Sequence, residues 1–211
     1  MDHLINNKSN LLNRRTLLRA SIAAGLLVPG FVRAQTPDQV GSVEDVKGEA
    51  FAEARDRRRT LERTAPLFLK ELVSTGPDSR LVLHLGTDTT LRMGASARLR
   101  IDNYLVKAGG DITLQSGPIL FNRPDGAPPE PVQFHSAFGL IAVRGTRFFM
   151  GPSAGVMGIF VQSGSVSVSA AGTEVVVQSG QGTNIAQPGA APTPPAPWGS
   201  ERIRAAMQSV E

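Results

Sequence analysis

Ile159-Phe160-Val161-Gln162-Ser163-Gly164-Ser165-Val166-Ser167-Val168-Ser169 is the stretch on which the fold class turns. Apolar residues keep to one face on either side of a glycine, while serine and glutamine take the other. That period of two belongs to a half-buried strand, not to a helix. Leu81-Val82-Leu83-His84-Leu85, Ile112-Thr113-Leu114-Gln115 and Val175-Val176-Val177-Gln178 repeat the pattern. Gln115-Ser116-Gly117, Gln162-Ser163-Gly164 and Gln178-Ser179-Gly180 each close such a run. A tight strand-to-strand turn commonly needs a positive φ, which costs a side-chain-bearing residue about 1–2 kcal/mol, so glycine belongs there. The repeated unit is therefore read as strand, glycine turn, strand. Gly86, Gly117, Gly145, Gly164 and Gly180 are separated by 31, 28, 19 and 16 residues, too irregular for a solenoid of fixed period. The pattern predicts an all-β fold, a rolled or sandwich-like stack of short antiparallel strands with one short C-terminal helix.

Outward from this core, the chain divides by composition. Residues 1–34 read as a removable export signal. Asn13-Arg14-Arg15-Thr16-Leu17-Leu18-Arg19 resembles the twin-arginine motif, with Arg14, Arg15 and Leu18 as its recognised positions. The apolar run Ala20–Val28 follows, Pro29 and Gly30 break it, and Val32-Arg33-Ala34 makes a small-residue cleavage site after Ala34. Nine apolar residues before a proline fall well short of the roughly 20 that a spanning helix needs, so no stable transmembrane span is expected. Residues 35–186 are read as the β domain. Residues 187–197, with five prolines, read as a semi-rigid linker, and 198–211 as a helical tail. Ile203, Met207 and Val210 give that helix an apolar face that must bury somewhere, on its own domain or on a partner.

The formal net charge is +4, but five of the 22 basic residues and only one of the 18 acidic ones lie in residues 1–34. The remainder balances at 17 against 17, which removes the clustered positive charge that nucleic-acid binding requires. The one dense patch, Arg55, Arg57, Arg58, Arg59 and Arg63, is interleaved with Glu53, Asp56 and Glu62 and reads as a solvated surface. Cysteine is absent, which excludes disulfides, thiolate metal sites and thiol nucleophiles.

Blocks along the chain resemble the FecR domain, the periplasmic part of the ferric-citrate signalling regulator, over residues 40–186. They are Val40-Gly41-Ser42-Val43, Ser74-Thr75-Gly76-Pro77-Asp78-Ser79-Arg80-Leu81, Gly94–Asp102 and, most specifically, Ala142-Val143-Arg144-Gly145-Thr146-Arg147-Phe148. The turn at Gly86-Thr87-Asp88 departs from the Asp-Gly-Ser or Asp-Gly-Thr usual in the family. The resemblance marks Thr75, Gly76, Ser79, Val143, Arg144, Gly145, Thr146 and Phe148 as family positions, structural or partner-binding. Only 13 residues, at most, precede the arginine pair, so the cytoplasmic sigma-factor-binding domain of the classical regulator is not expected.

No catalytic grouping is legible. His84 sits opposite Leu83 and Leu85 on its strand and is expected to face solvent. His135 and Ser136 are adjacent but lack the strained, glycine-flanked turn of a nucleophile. Asp78, Asp88, Asp102, Asp111 and Asp125 are read as lying in or beside turns. Neither metal ligands nor cofactor motifs are found, and no enzyme activity is expected. Arg144, between an apolar strand and Gly145, is read either as an internal tie to carbonyls or an aspartate, or as part of an anion or partner site. The expected partners are the twin-arginine export machinery and an envelope protein or glycan, with no nucleic acid. The leading reading is an exported periplasmic binding module in scaffolding or signalling. The alternative is a small-ligand or glycan-binding domain.

Overall fold

A computed structural model describes residues 38–55, 57–105, 109–124 and 132–211, the side chains of Leu105 and Arg144 excepted. The signal positions Arg14, Arg15, Leu18 and Ala34 lie outside the described residues, as do Asp56, Asp125 and most of the proline-rich stretch 124–131. Strand alternation dominates as expected. The strands are β1 (Gln39–Lys47), β2 (Ala50–Ala54), β3 (Arg57–Thr60), β4 (Pro66–Phe68), β5 (Leu72–Thr75), β6 (Arg80–Leu85), β7 (Thr89–Met93) and β8 (Arg98–Leu105). They continue as β9 (Gly109–Ser116), β10 (Ile119–Asn122), β11 (Val132–Ser136), β12 (Gly139–Ser153), β13 (Val156–Ala170), β14 (Thr173–Gln178), β15 (Gln181–Ile185) and β16 (Ala196–Pro197). One helix, α1 (Ser200–Gln208), closes the chain.

Two runs of paired strands meet on β12. One is β3-β2-β5-β8-β9-β11 and reaches the first half of β12; the other is β4-β1-β6-β7-β10 and reaches its second half. β13 follows β12 along its full length and carries β14 and β15 in turn, with β16 at the edge. Every pairing is antiparallel except that of β9 with β11. On the second run, the rung Val43–Leu83–Leu91–Phe121–Phe148–Val161 points inward and is buried throughout. The first run offers Ile101–Ile112–Phe134–Ile141–Val168 in the same way. The layers meet where the Phe134 ring lies 5.0 Å from Phe121 and 5.3 Å from Phe148, both edge-on. Each such aromatic pair contributes about 0.5–1.5 kcal/mol beyond the area it buries.

β12 and β13 pass between the layers by bending. Gly145 and Thr146 together oppose Gly164, a two-against-one bulge, and Gln162 is the compensating extra residue on β13. Gly145 has φ 55° and Gly164 φ 81°. Each extra residue reverses which parity faces the core: Ile141 and Val143 point inward before the bulge, Phe148 and Met150 after it. The positive φ predicted for Gly145 is present, but Gly164 is not a turn between separate strands. It is the bend inside one strand, because the ladder resumes on both sides of it. β12 and β13, at 15 residues each, are also not short strands. Gly86, Gly117 and Gly180 do sit between strands with positive φ.

The tail docks on its own domain. In β10, β12, β13 and β15 the outward rung Leu120–Phe149–Phe160–Gly182 is apolar, so this part of the sheet needs cover on its second face. Trp198, Ala206, Met207 and Val210 supply that cover, with Ile203 at the margin. Trp198 stacks on Phe160 at 5.3 Å, and the Arg202 guanidinium lies 3.6 Å over its ring. Arg202 also donates to Asn184 Oδ1 at 2.6 Å and to Ser153 Oγ at 2.9 Å, and desolvation by burial pulls its pKa below the ordinary arginine value. The proline-rich segment does not hold Trp198 away from the sheet. Thr193 donates its N–H to Asn184 O and accepts from Asn184 N, and Ala196–Pro197 pair with Gln181–Gly182.

Candidate functional site

The positions marked by the family resemblance are mostly internal fastenings. Thr75 Oγ1, buried, donates to Gly94 O at 2.6 Å and accepts from Ala97 N at 2.9 Å. Ser79 Oγ accepts from Glu49 N at 2.9 Å and donates to Pro77 O, while Gly76 N donates to Glu49 O. The turn thus ties the start of β2 to the β7–β8 connection. Val143 and Phe148 lie in the core, and Thr146 Oγ1 donates across the bulge to Ser165 O at 2.9 Å. Arg144 keeps its backbone pairing opposite Ser165, and its side chain lies outside the described residues.

The arginine patch is the exposed β2–β3 hairpin with its flank, paired with Glu53 within it and with Glu71 and Asp45 outside it. Arg59 forms a two-pronged pair with buried Glu71, at 3.2 and 2.7 Å; Arg58 pairs with Glu53 and Arg63 with Asp45. His135 meets Asp111 at 3.2 Å on the surface. Ser136 Oγ donates to Gly139 O and accepts from Phe138 N, a turn residue's bonds. Asp102 and Asp111 lie within strands, β8 and β9, where Asp102 accepts from Arg100 and from Thr113 across the strand pair. Among the described residues no group of three or more His, Asp or Glu could hold a metal ion, and no helix is long and apolar enough to cross a membrane.

One concave site joins His84 and Arg147, both quoted above, to residues that no sequence signal marked. The register places His84, Thr90, Asn122 and Arg147 directly opposite one another on four successive strands, β6, β7, β10 and β12. Alternation puts all four outward, with Arg92 and Leu120 on the same face one rung along. Together with Glu44 they line a groove of about 150 Å³. Leu120 forms part of its floor and also packs under the C-terminal segment, so the groove lies beside the docked tail. His84 Nε2 is 3.1 Å from Glu44 Oε2, and both are about half exposed. Arg147 Nε is buried without a hydrogen-bond partner among the described residues. An unmet buried donor of this kind costs about 1–3 kcal/mol. Arg147 lies in the Ala142–Phe148 block, and the parity change at the bulge is what turns it outward. Uninterrupted alternation from Ile141 and Val143 would have put Arg147 on the inward face.

The FecR protein family matches residues 71–167, from β5 into β13, a span that includes the Ala142–Phe148 block and most of the groove. Two crystal structures of a protein from Parabacteroides distasonis, described as an anti-sigma factor, share the fold. Each superposes with a TM-score of 0.54 at 14% identity, over 65% of this chain and 64% of that one. The chain therefore spans less than two thirds of that protein's length. No curated protein sequence matches the chain.

Proposed function

We propose that the chain is an exported, non-enzymatic FecR-like domain that binds a protein of the cell envelope in periplasmic signalling or scaffolding. The observation that carries this reading is the charged, open groove on the outward face of β6, β7, β10 and β12, within and beside the FecR-matched segment. Its arginines stand on paired strands, so a partner meets donors that are already in place. The likeness to a protein described as an anti-sigma factor supports a signalling role. The Arg14-Arg15 motif and the cleavage site after Ala34 support export. At about 150 Å³ and with a mostly polar lining, this groove is smaller than the roughly 300–1,000 Å³ of mostly apolar space that encloses a whole drug-sized molecule, which favours a protein partner for it over the ligand or glycan alternative. Crosslinking the chain in the intact envelope, followed by identification of what is captured, tests the reading. Enrichment of one envelope protein supports it. Capture of glycan alone supports the alternative, and capture of neither overturns both.

A further inference from the structure

We infer that the groove is a carboxylate site that receives an acidic side chain of a protein partner, an inference that rests on the partner-binding reading above. Arg92 and Arg147 stand two strands and one same-face rung apart, about 12 Å between their backbones, with Leu120 and Asn122 on the strand between them. Two long guanidinium side chains can therefore converge over one small group. Neither has an ion-pair partner among the described residues, since the groove's one acid, Glu44, lies against His84. Two guanidinium cations against the one carboxylate, Glu44, leave a single positive excess. That balance suits a monoanion and disfavours a phosphate dianion, which Glu44 would repel.

The geometry narrows the ligand further. A guanidinium grips a carboxylate side-on through Nε and one Nη, in two parallel hydrogen bonds that lysine cannot copy. Arg147 Nε has no hydrogen-bond partner among the described residues but almost no exposed surface, so a side-on grip there requires the guanidinium to turn toward the ligand. Thr90 and Asn122 add neutral donors at the floor. A space of about 150 Å³ holds a carboxylate and its methylene.

Arginine Nε–Hε signals in proton–nitrogen NMR spectra of the full chain test this directly. Titration with hexaglutamate peptide should move the Arg147 signal to saturation. Acetate at matched carboxylate concentration should move it far less, and hexaglutamine not at all. An equal response to acetate overturns the peptide source in favour of a free small carboxylate. Tighter response to inorganic phosphate overturns the carboxylate assignment, and no saturable shift overturns the site. Arg92→Gln and Arg147→Lys should each weaken hexaglutamate binding about tenfold or more. Unchanged backbone amide signals in the inner rungs will show that both variants fold. Undiminished affinity in both variants overturns the inference. Envelope crosslinking separates the two claims. If the double variant captures the same protein as wild type, the groove assignment fails and partner binding stands. If wild type titrates with hexaglutamate yet captures no envelope protein, partner binding fails.

Discussion

Gly145 and Gly164 face each other across the β12–β13 ribbon so closely that a Cβ on Gly164 would lie 2.5 Å from the Gly145 carbonyl oxygen. The obstacle is backbone in a bulge, which cannot swing aside as a side chain does. This contact, with the positive φ of both residues, lets two long strands change layer without losing their ladder.

Gly164→Ala therefore combines a strained φ with a backbone clash and should cost at least about 2 kcal/mol. Gly145→Val should be worse, because a β-branched residue tolerates a φ of 55° poorly. Thermal unfolding should fall by roughly 4–8 °C for the alanine variant. An unchanged melting temperature in both would mean that the bend does not require glycine.

Trp198 behaves as a core residue even though it follows five prolines. Trp198→Ala should destabilise by about 3–5 kcal/mol, as large buried aromatics do. Deleting residues 198–211 should lower the melting temperature further and expose Leu120, Phe149 and Phe160, raising binding of a hydrophobic dye. A truncated chain that melts like the full one would show that the tail is dispensable to the fold.

Tyr104 is the only tyrosine in the chain, so its ionisation can be followed alone. Desolvation by burial raises its pKa, partly opposed by the 2.8 Å hydrogen bond to Thr89 and by Arg123, with a small upward push from Asp88. Since the folded pKa lies above the unfolded one, the folded chain holds the proton more tightly. The associated stability is complete below about pH 10 and is lost as pH rises through the folded value. Tyrosinate absorbance should titrate above the free-tyrosine range, and Tyr104→Phe should flatten the fall in melting temperature at alkaline pH. A midpoint at or below the free value would contradict the burial argument.

Export, as proposed, depends on the guanidinium pair. Replacing Arg14 and Arg15 together by lysine should keep the charge but leave the precursor uncleaved and inside the cell, because lysine lacks the planar fork. Mature protein in the periplasm at wild-type amounts would count against the twin-arginine route.

Much of this protein could be read from residue order alone, where the controlling physics is local. Alternation in Leu81–Leu85 and Ile112–Gln115 specifies strands because side chains on an extended backbone must point to opposite faces. The glycines at 86, 117, 145, 164 and 180 were legible because positive φ excludes most other residues. The helix face Ile203, Met207 and Val210 followed from its period, though not what it covers. Tertiary structure alone decided that Gly164 bends one strand and does not separate two, since a turn and a bulge ask the same φ of glycine and differ only in whether pairing continues. It also decided where the tail packs. Leu120, Phe149 and Phe160 are each a single apolar residue on an outward face, and they become a docking surface only when register sets them side by side. The groove has the same origin. Arg92 and Arg147 lie 55 residues apart in sequence and look like ordinary solvated charges. Cross-strand pairing through β10 places them around one cavity, because hydrogen-bond register, not sequence distance, sets which side chains share a face.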